Sequence, residues 1–269
     1  MNRLWKRASD VVRYIAALKI PVYASHASFF MALAVFPSLV LLLSLLRYTG
    51  LEVDTLTQVL DGVIPKALMP AAEKLIINTY RGTTGTLISI SAITALWSAS
   101  SGFYGLTTGL NSIYGVSENR GYLHTRLLSV LYTFAFLVVL LLTLVLHVFG
   151  TSLLEWLPFT ESPLLQFLEK VVNLRFFVLL SVQTMLFTAM YMVLPNKRNR
   201  LMESLPGALL ASSGWLIFSD LYSIYVEHFA RLAIIYGSVY AVALSMLWLY
   251  CCVSIIFYGG ALNNYLKKK

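Results

Sequence analysis

Six apolar runs, each long enough to cross a lipid bilayer as a helix, constrain this chain more than any other feature. They are Ala24–Leu46, Thr86–Leu110, Leu127–Phe149, Phe176–Leu194, Leu205–Val226 and Ile234–Phe257. A helix rises about 1.5 Å per residue, so about 20 apolar residues cover a hydrocarbon core about 30 Å thick. Backbone in lipid must satisfy its own hydrogen bonds, which leaves helices or closed barrels, and these runs are too long for barrel strands. Hydrophobic residues make up 58% of the chain and charged ones 12%, and the mean hydropathy is +0.76. The expected fold is all-α: a polytopic membrane protein with six transmembrane helices.

Charge predicts the orientation. If the spans alternate from an inside N-terminus, the inside segments hold 13 of the 20 basic residues: Arg3, Lys6, Arg7, Arg13, Lys19, Arg120, Arg126, Lys197, Arg198, Arg200 and Lys267 to Lys269. Basic residues flanking spans are retained on the cytoplasmic side, so both termini are expected inside. The net charge of +8 then argues for anionic inner-leaflet lipids at the basic loops rather than for nucleic acid. Cys251 and Cys252 are adjacent within the last run, where they read as small packing residues and form neither a bridge nor a metal site.

Along the chain, residues 1–20 read as an interfacial helix with Leu4, Ala8, Val11, Val12 and Ile15 at helical spacing, stopped at Pro21. The six-helix domain spans 21–266, and 267–269 form a basic tail. Pro37 removes a hydrogen bond within the first span and predicts a kink. Short amphipathic helices are expected in the first outer loop, at about 53–80. Ser98, Ser101, Gly102, Gly105 and Gly109 make the second span a small-residue face that lets a neighbouring helix approach closely, and Gly237 begins a similar face in the sixth. Such faces serve a monomer or a homo-oligomer.

An ionisable group within a span costs at least about 2.5–3.5 kcal/mol on insertion scales and asks for a partner or a purpose. Asp220 is the clearest instance. Arg175, His147, Glu227, His228 and Arg231 are expected near the same outer half of the bundle, with Gln183 extending polarity inward. Two readings follow: a hydrated cavity that binds a charged group, or a structural Asp220–Arg175 pair joining two helices. The four histidines lie in separate places without ligand spacing, so no metal is expected. No glycine-rich phosphate loop, GxSxG or HExxH motif occurs, which argues against an enzyme.

Several short motifs in order resemble the YihY/BrkB family of bacterial inner-membrane proteins, once called ribonuclease BN. They are Ala27-Ser28-Phe29-Phe30 with Phe36-Pro37, then Trp97-Ser98-Ala99-Ser100 through Leu110-Asn111-Ser112-Ile113-Tyr114-Gly115-Val116. Leu194-Pro195-Asn196 with Pro206-Gly207-Ala208 follows, and Tyr236-Gly237-Ser238, Leu247-Trp248-Leu249-Tyr250 and Gly259-Gly260 with Asn263 complete the set. The resemblance covers nearly all of 22–265 and implies a six-helix domain in the bacterial cytoplasmic membrane. Where family members often carry a glutamate between the glycine pair and the asparagine, this chain has Ala261. Nuclease chemistry finds no clustered carboxylates or histidines to rest on.

The expected function is transport or flipping of a lipid or other amphiphile, without cofactors. Asp220 and Arg175 would meet the headgroup, and Ser98, Ser101, Asn111, Gln183 and His147 would line its path. A proton- or sodium-coupled transporter of small ions and a non-transporting membrane scaffold are the alternatives.

Overall fold

The computed structural model describes residues 13–46, 73–74, 77–78, 84–148, 175–228 and 230–267. Six long helices dominate: α1 (Ile20–Leu46), α2 (Gly85–Tyr114), α3 (Tyr122–Val148), α4 (Arg175–Val193), α5 (Leu201–His228) and α6 (Ala230–Lys267). No strand occurs among the described residues. Among the described residues, four stretches are long and apolar enough to cross a membrane: Gly85–Tyr114, Phe176–Val193, Leu201–Val226 and Val242–Lys267. The chain is thus a multi-pass membrane protein whose regular secondary structure, among the described residues, is all helical. Most of the expected interfacial helix and outer-loop helices lies outside the described residues.

Helix ends follow local chemistry. Residues 13–17 are helical, and the chain breaks at Lys19, whose φ of 50° is left-handed. Pro21 therefore does not stop the preceding helix, as its sequence position suggested. It sits in the first turn of α1, where a missing N–H leaves nothing unpaired. Thr84 caps α2 by accepting a hydrogen bond from the Leu87 N–H. Gly115 closes α2 in the left-handed conformation (φ 66°), and the Val116 N–H reaches back to the Asn111 carbonyl at 2.9 Å. The assigned helices overrun the apolar runs at several ends: α6 continues to Lys267, ten residues past Phe257, because its final turns find partners on other helices. Lys267 accordingly belongs to α6 rather than to a tail, and pairs with Glu203 of α5.

The pairs α1–α2 and α5–α6 pack antiparallel, with glycines at the closest approaches. On α2, a Cβ on Gly102 would stand 2.6 Å from the Met31 side chain, and one on Gly105 would stand 3.2 Å from the Ala27 Cβ. Gly109 faces Tyr23 and Phe257. On α5 and α6, Gly207 and Gly259 meet backbone to backbone, each where a Cβ would collide with the other's carbonyl oxygen. Farther along the same pair, Trp248 Nε1 donates to Ser219 Oγ and the Tyr222 hydroxyl donates to the Leu244 carbonyl. Residues rising along α5 thus meet residues falling along α6.

An aromatic chain ties five helices together. Trp215 of α5 stacks edge-on or tilted against Phe136 of α3 (6.0 Å), Phe187 of α4 (5.9 Å) and Trp248 of α6 (5.5 Å). Phe136 in turn meets Phe103 of α2 at 5.7 Å. Such pairs add about 0.5–1.5 kcal/mol each beyond the area they bury.

Candidate functional site

At one end of the bundle the starts of α1, α3 and α5 meet the ends of α2, α4 and α6, and there polar side chains concentrate. The last carbonyls of any helix lack intrahelical donors, and in a membrane protein other side chains must supply them. Arg120, in the α2–α3 loop, donates to the carbonyls of Val193 and Leu194 at the end of α4 (3.3 and 2.7 Å). Asn199 donates to the Tyr191 carbonyl at 3.0 Å. Asn264 of α6 donates to the Ile113 carbonyl of α2 at 2.6 Å and to the Tyr14 hydroxyl at 3.1 Å.

Glu118 orients this layer. It accepts from Arg120 Nε and Nη2 (2.8 and 2.7 Å) and from Asn111 Nδ2 at 2.8 Å. The Arg120 guanidinium, with further help from the Arg120 and Asn111 N–H groups and against some burial, holds its carboxyl down at about 2. Asn111 completes the circuit by accepting the Asn196 backbone N–H at 2.7 Å. Asn263 of α6 accepts the Gly207 N–H of α5 at 2.7 Å and donates to the Ser204 carbonyl at 3.0 Å. Its amide thus serves as a substitute peptide group beside Pro206, which has no N–H of its own.

A second polar feature joins the middle of α2 to the first turns of α3. Trp97 and Ser101 stand either side of the midpoint of the 30-residue α2. There, Arg126 of α3 donates through Nη2 to the Trp97 carbonyl (2.9 Å) and the Ser101 hydroxyl (3.0 Å). Its guanidinium carbon lies 5.8 Å from the Trp97 ring centroid, a cation–π contact.

The residues expected to line a path are distributed differently. Asp220 is exposed on α5, on the stripe that also carries Ile217 and Ile224 one turn either way. Arg175 is the first residue of α4 and His147 lies in α3, but both side chains fall outside the described residues, as does the surrounding of Gly237 in α6. The Asp220–Arg175 pairing therefore lies outside them too. Gln183 is buried on α4, beside Thr184 and Thr188, whose buried hydroxyls have no hydrogen-bond partner; Ser98 on α2 is in the same condition. Ser101 joins Arg126, and Asn111 joins the end layer. Among the described residues, no hydrogen bond or ion pair links Asp220 to any of them. Pro37 lies inside α1, which continues through it. Among the described residues no three of His, Cys, Asp and Glu stand where they could hold a metal ion.

The profile of the family described as "Virulence factor BrkB" matches residues 11–269. The chain belongs to the BrkB family. It is 33% identical over 246 residues to the putative ribonuclease-like protein YfkH of Bacillus subtilis strain 168, covering 91% of this chain and 90% of that one. It is 29% identical to a UPF0761 membrane protein of Chlorobium limicola, covering 91% of this chain but only 54% of that longer protein. A Vibrio vulnificus UPF0761 membrane protein, VV0203, is 22% identical over 96% of this chain and 82% of its own. No solved structure matches.

In this BrkB-family chain, Ala261 is apolar and buried against the core. Part of the motifs that marked the family falls in the end layer: Asn111, Asn196, Gly207 and Asn263 take part. Arg120, Glu118, Asn199 and Asn264 went unnoticed as site residues. Glu118 and Arg120, two residues apart in a loop otherwise rich in small polar groups, were the available signal.

Proposed function

We propose that this protein moves an amphiphile, with a charged or polar headgroup and apolar tails, across the bacterial cytoplasmic membrane. On this reading it has six crossings, both termini inside, and no enzymatic activity. The carrying observation is the placement of Asp220: a carboxylate on the outward stripe of α5, between Ile217 and Ile224. A carboxylate facing hydrocarbon costs about 2.5–3.5 kcal/mol on insertion scales, and a headgroup sliding along that stripe would offset it while its tails stay in lipid. A small-ion site would instead be enclosed by several oxygen ligands, and the open stripe favours the amphiphile over the ion. Gln183 and the unpartnered hydroxyls of Ser98, Thr184 and Thr188 add polar groups that a headgroup could engage inside the bundle. The basic character of the end bearing Arg120, Arg198 and Arg200 supports its placement in the cytoplasm.

The test is movement of labelled phospholipid between leaflets of liposomes holding the purified protein, beside protein-free vesicles and the Asp220→Asn variant. Wild-type protein should exceed the protein-free rate, and the variant should lose about tenfold, equivalent to about 1.4 kcal/mol of barrier, with unchanged folded yield. An equal rate in the variant removes Asp220 from the mechanism. Wild-type rates no faster than protein-free vesicles, or hydrolysis of RNA by the same preparation, overturn the proposal.

A further inference from the structure

We infer that Arg126, Trp97 and Ser101 form a binding site for the phosphate of an anionic phospholipid at the seam between α2 and α3. The guanidinium uses one nitrogen, Nη2, to hold the Trp97 carbonyl and the Ser101 hydroxyl. Both of those are neutral acceptors. Among the described residues no carboxylate lies within ion-pair distance of Arg126; the ion pairs are Arg120–Glu118 and Lys267–Glu203. Arg120 shows what this chain does with an arginine it neutralises: two nitrogens on one carboxylate. Nε and Nη1 of Arg126 make no hydrogen bond among the described residues and can take an incoming acceptor.

The surroundings select the kind of anion. Arg126 is only partly buried, and the same turns carry exposed apolar side chains: Leu123 and Leu127 on α3 and Ile93 on α2. Trp97 is 54% exposed and supports the cation from one side. Its other neighbour is Phe30 of α1, at 6.0 Å and edge-on. The site is thus a single fixed cation in a greasy, open-sided seam. A soluble phosphate would find one charge and no enclosing donors, whereas a phospholipid can place its phosphodiester on the guanidinium and lay its acyl chains along Leu127 and Ile93. Arginine suits this role because its planar fork stays charged and presents several donors to two phosphate oxygens. The inference stands on the membrane character of the chain and does not depend on whether lipid is transported.

The experiment is native mass spectrometry of the full-length protein released from micelles containing equal amounts of phosphatidylglycerol and phosphatidylcholine, with soluble glycerol phosphate as a competitor. Wild-type protein should retain phosphatidylglycerol in preference by about tenfold, as expected for one charge-assisted contact. Arg126→Gln should bring the two lipids to parity, and Arg126→Lys should keep part of the preference. Glycerol phosphate should leave the lipid bound. An unchanged preference in Arg126→Gln overturns the site, and displacement by glycerol phosphate overturns the lipid as its ligand. If Arg126→Gln does not fold, Trp97→Leu decides the matter, since it leaves the guanidinium and its carbonyl bond in place. Its preference should drop several-fold, and an undiminished one overturns the proposal.

Discussion

Glu118 shows how much one side chain can organise at a helix end. Its carboxylate holds Arg120, which in turn serves the α4 carbonyls, and it holds Asn111, which receives the backbone of the α4–α5 loop. Replacing it with glutamine keeps the shape and removes the charge, and should destabilise the folded protein by about 1 kcal/mol, the upper end for a partly exposed ion pair. The pH dependence has a definite sign. The folded carboxyl titrates near 2 against an ordinary 4.5, so its stabilisation is complete above about 4.5 and is lost as pH falls through about 2. Thermal melts in detergent should therefore show wild type ahead of Glu118→Gln by a constant margin at neutral pH, shrinking below about pH 4.5. A margin that persists undiminished to pH 2.5 would contradict the assignment. At this scale the sequence was partly legible. Asn111 stood out as a polar residue at the end of an apolar run, but its role as a hinge between two loops required knowing that α4 ends beside it, which spacing alone does not encode.

At the scale of elements, glycines set the distances between helices. Gly207 and Gly259 bring α5 and α6 into backbone contact, and there is no side chain to yield. Gly207→Ala should push the pair apart, stretch both Asn263 bonds and cost about 2–3 kcal/mol, within the range for overpacking a close contact. Gly85→Ala, where nothing lies within 4 Å of the added atom, should leave stability unchanged within about 0.5 kcal/mol. Melting temperatures of the two variants in one detergent check this, and equal melting points would refute it. The apolar runs announced each of the six long helices among the described residues because length and hydropathy are local properties. Helix ends were less legible: the starts of α1 and α5 and the finish of α6 lie beyond the apolar runs, in turns stabilised by residues distant in sequence. The small-residue spacing of α2 was visible, but that its partners are Ala27 and Met31 of α1, with Phe257 of α6, follows only from the fold.

For the whole molecule, the proposed orientation puts the polar end layer in the cytoplasm. Asn119→Cys and Arg198→Cys, at exposed positions in the two loops of that end, should react with a membrane-impermeant maleimide in inside-out vesicles and stay unlabelled in intact cells. Labelling of both from outside would invert the topology. Cys252 is buried and Cys251 partly so, so background reaction is small. What the sequence could not supply is the arrangement around Asp220: a carboxylate in an apolar run reads equally as enclosed or outward-facing until the helix phases are known. The bond between Asn264 and Tyr14 joins positions 250 residues apart, and Asn264 also holds the end of α2. During synthesis, then, the first helices enter the membrane with the Ile113 carbonyl still unmatched, and it waits for α6. On the proposed orientation, a chain whose last helix fails to insert leaves that carbonyl bare at the cytoplasmic face, where proteases survey membrane proteins, so α6 doubles as the clasp by which a finished molecule differs from an abandoned one.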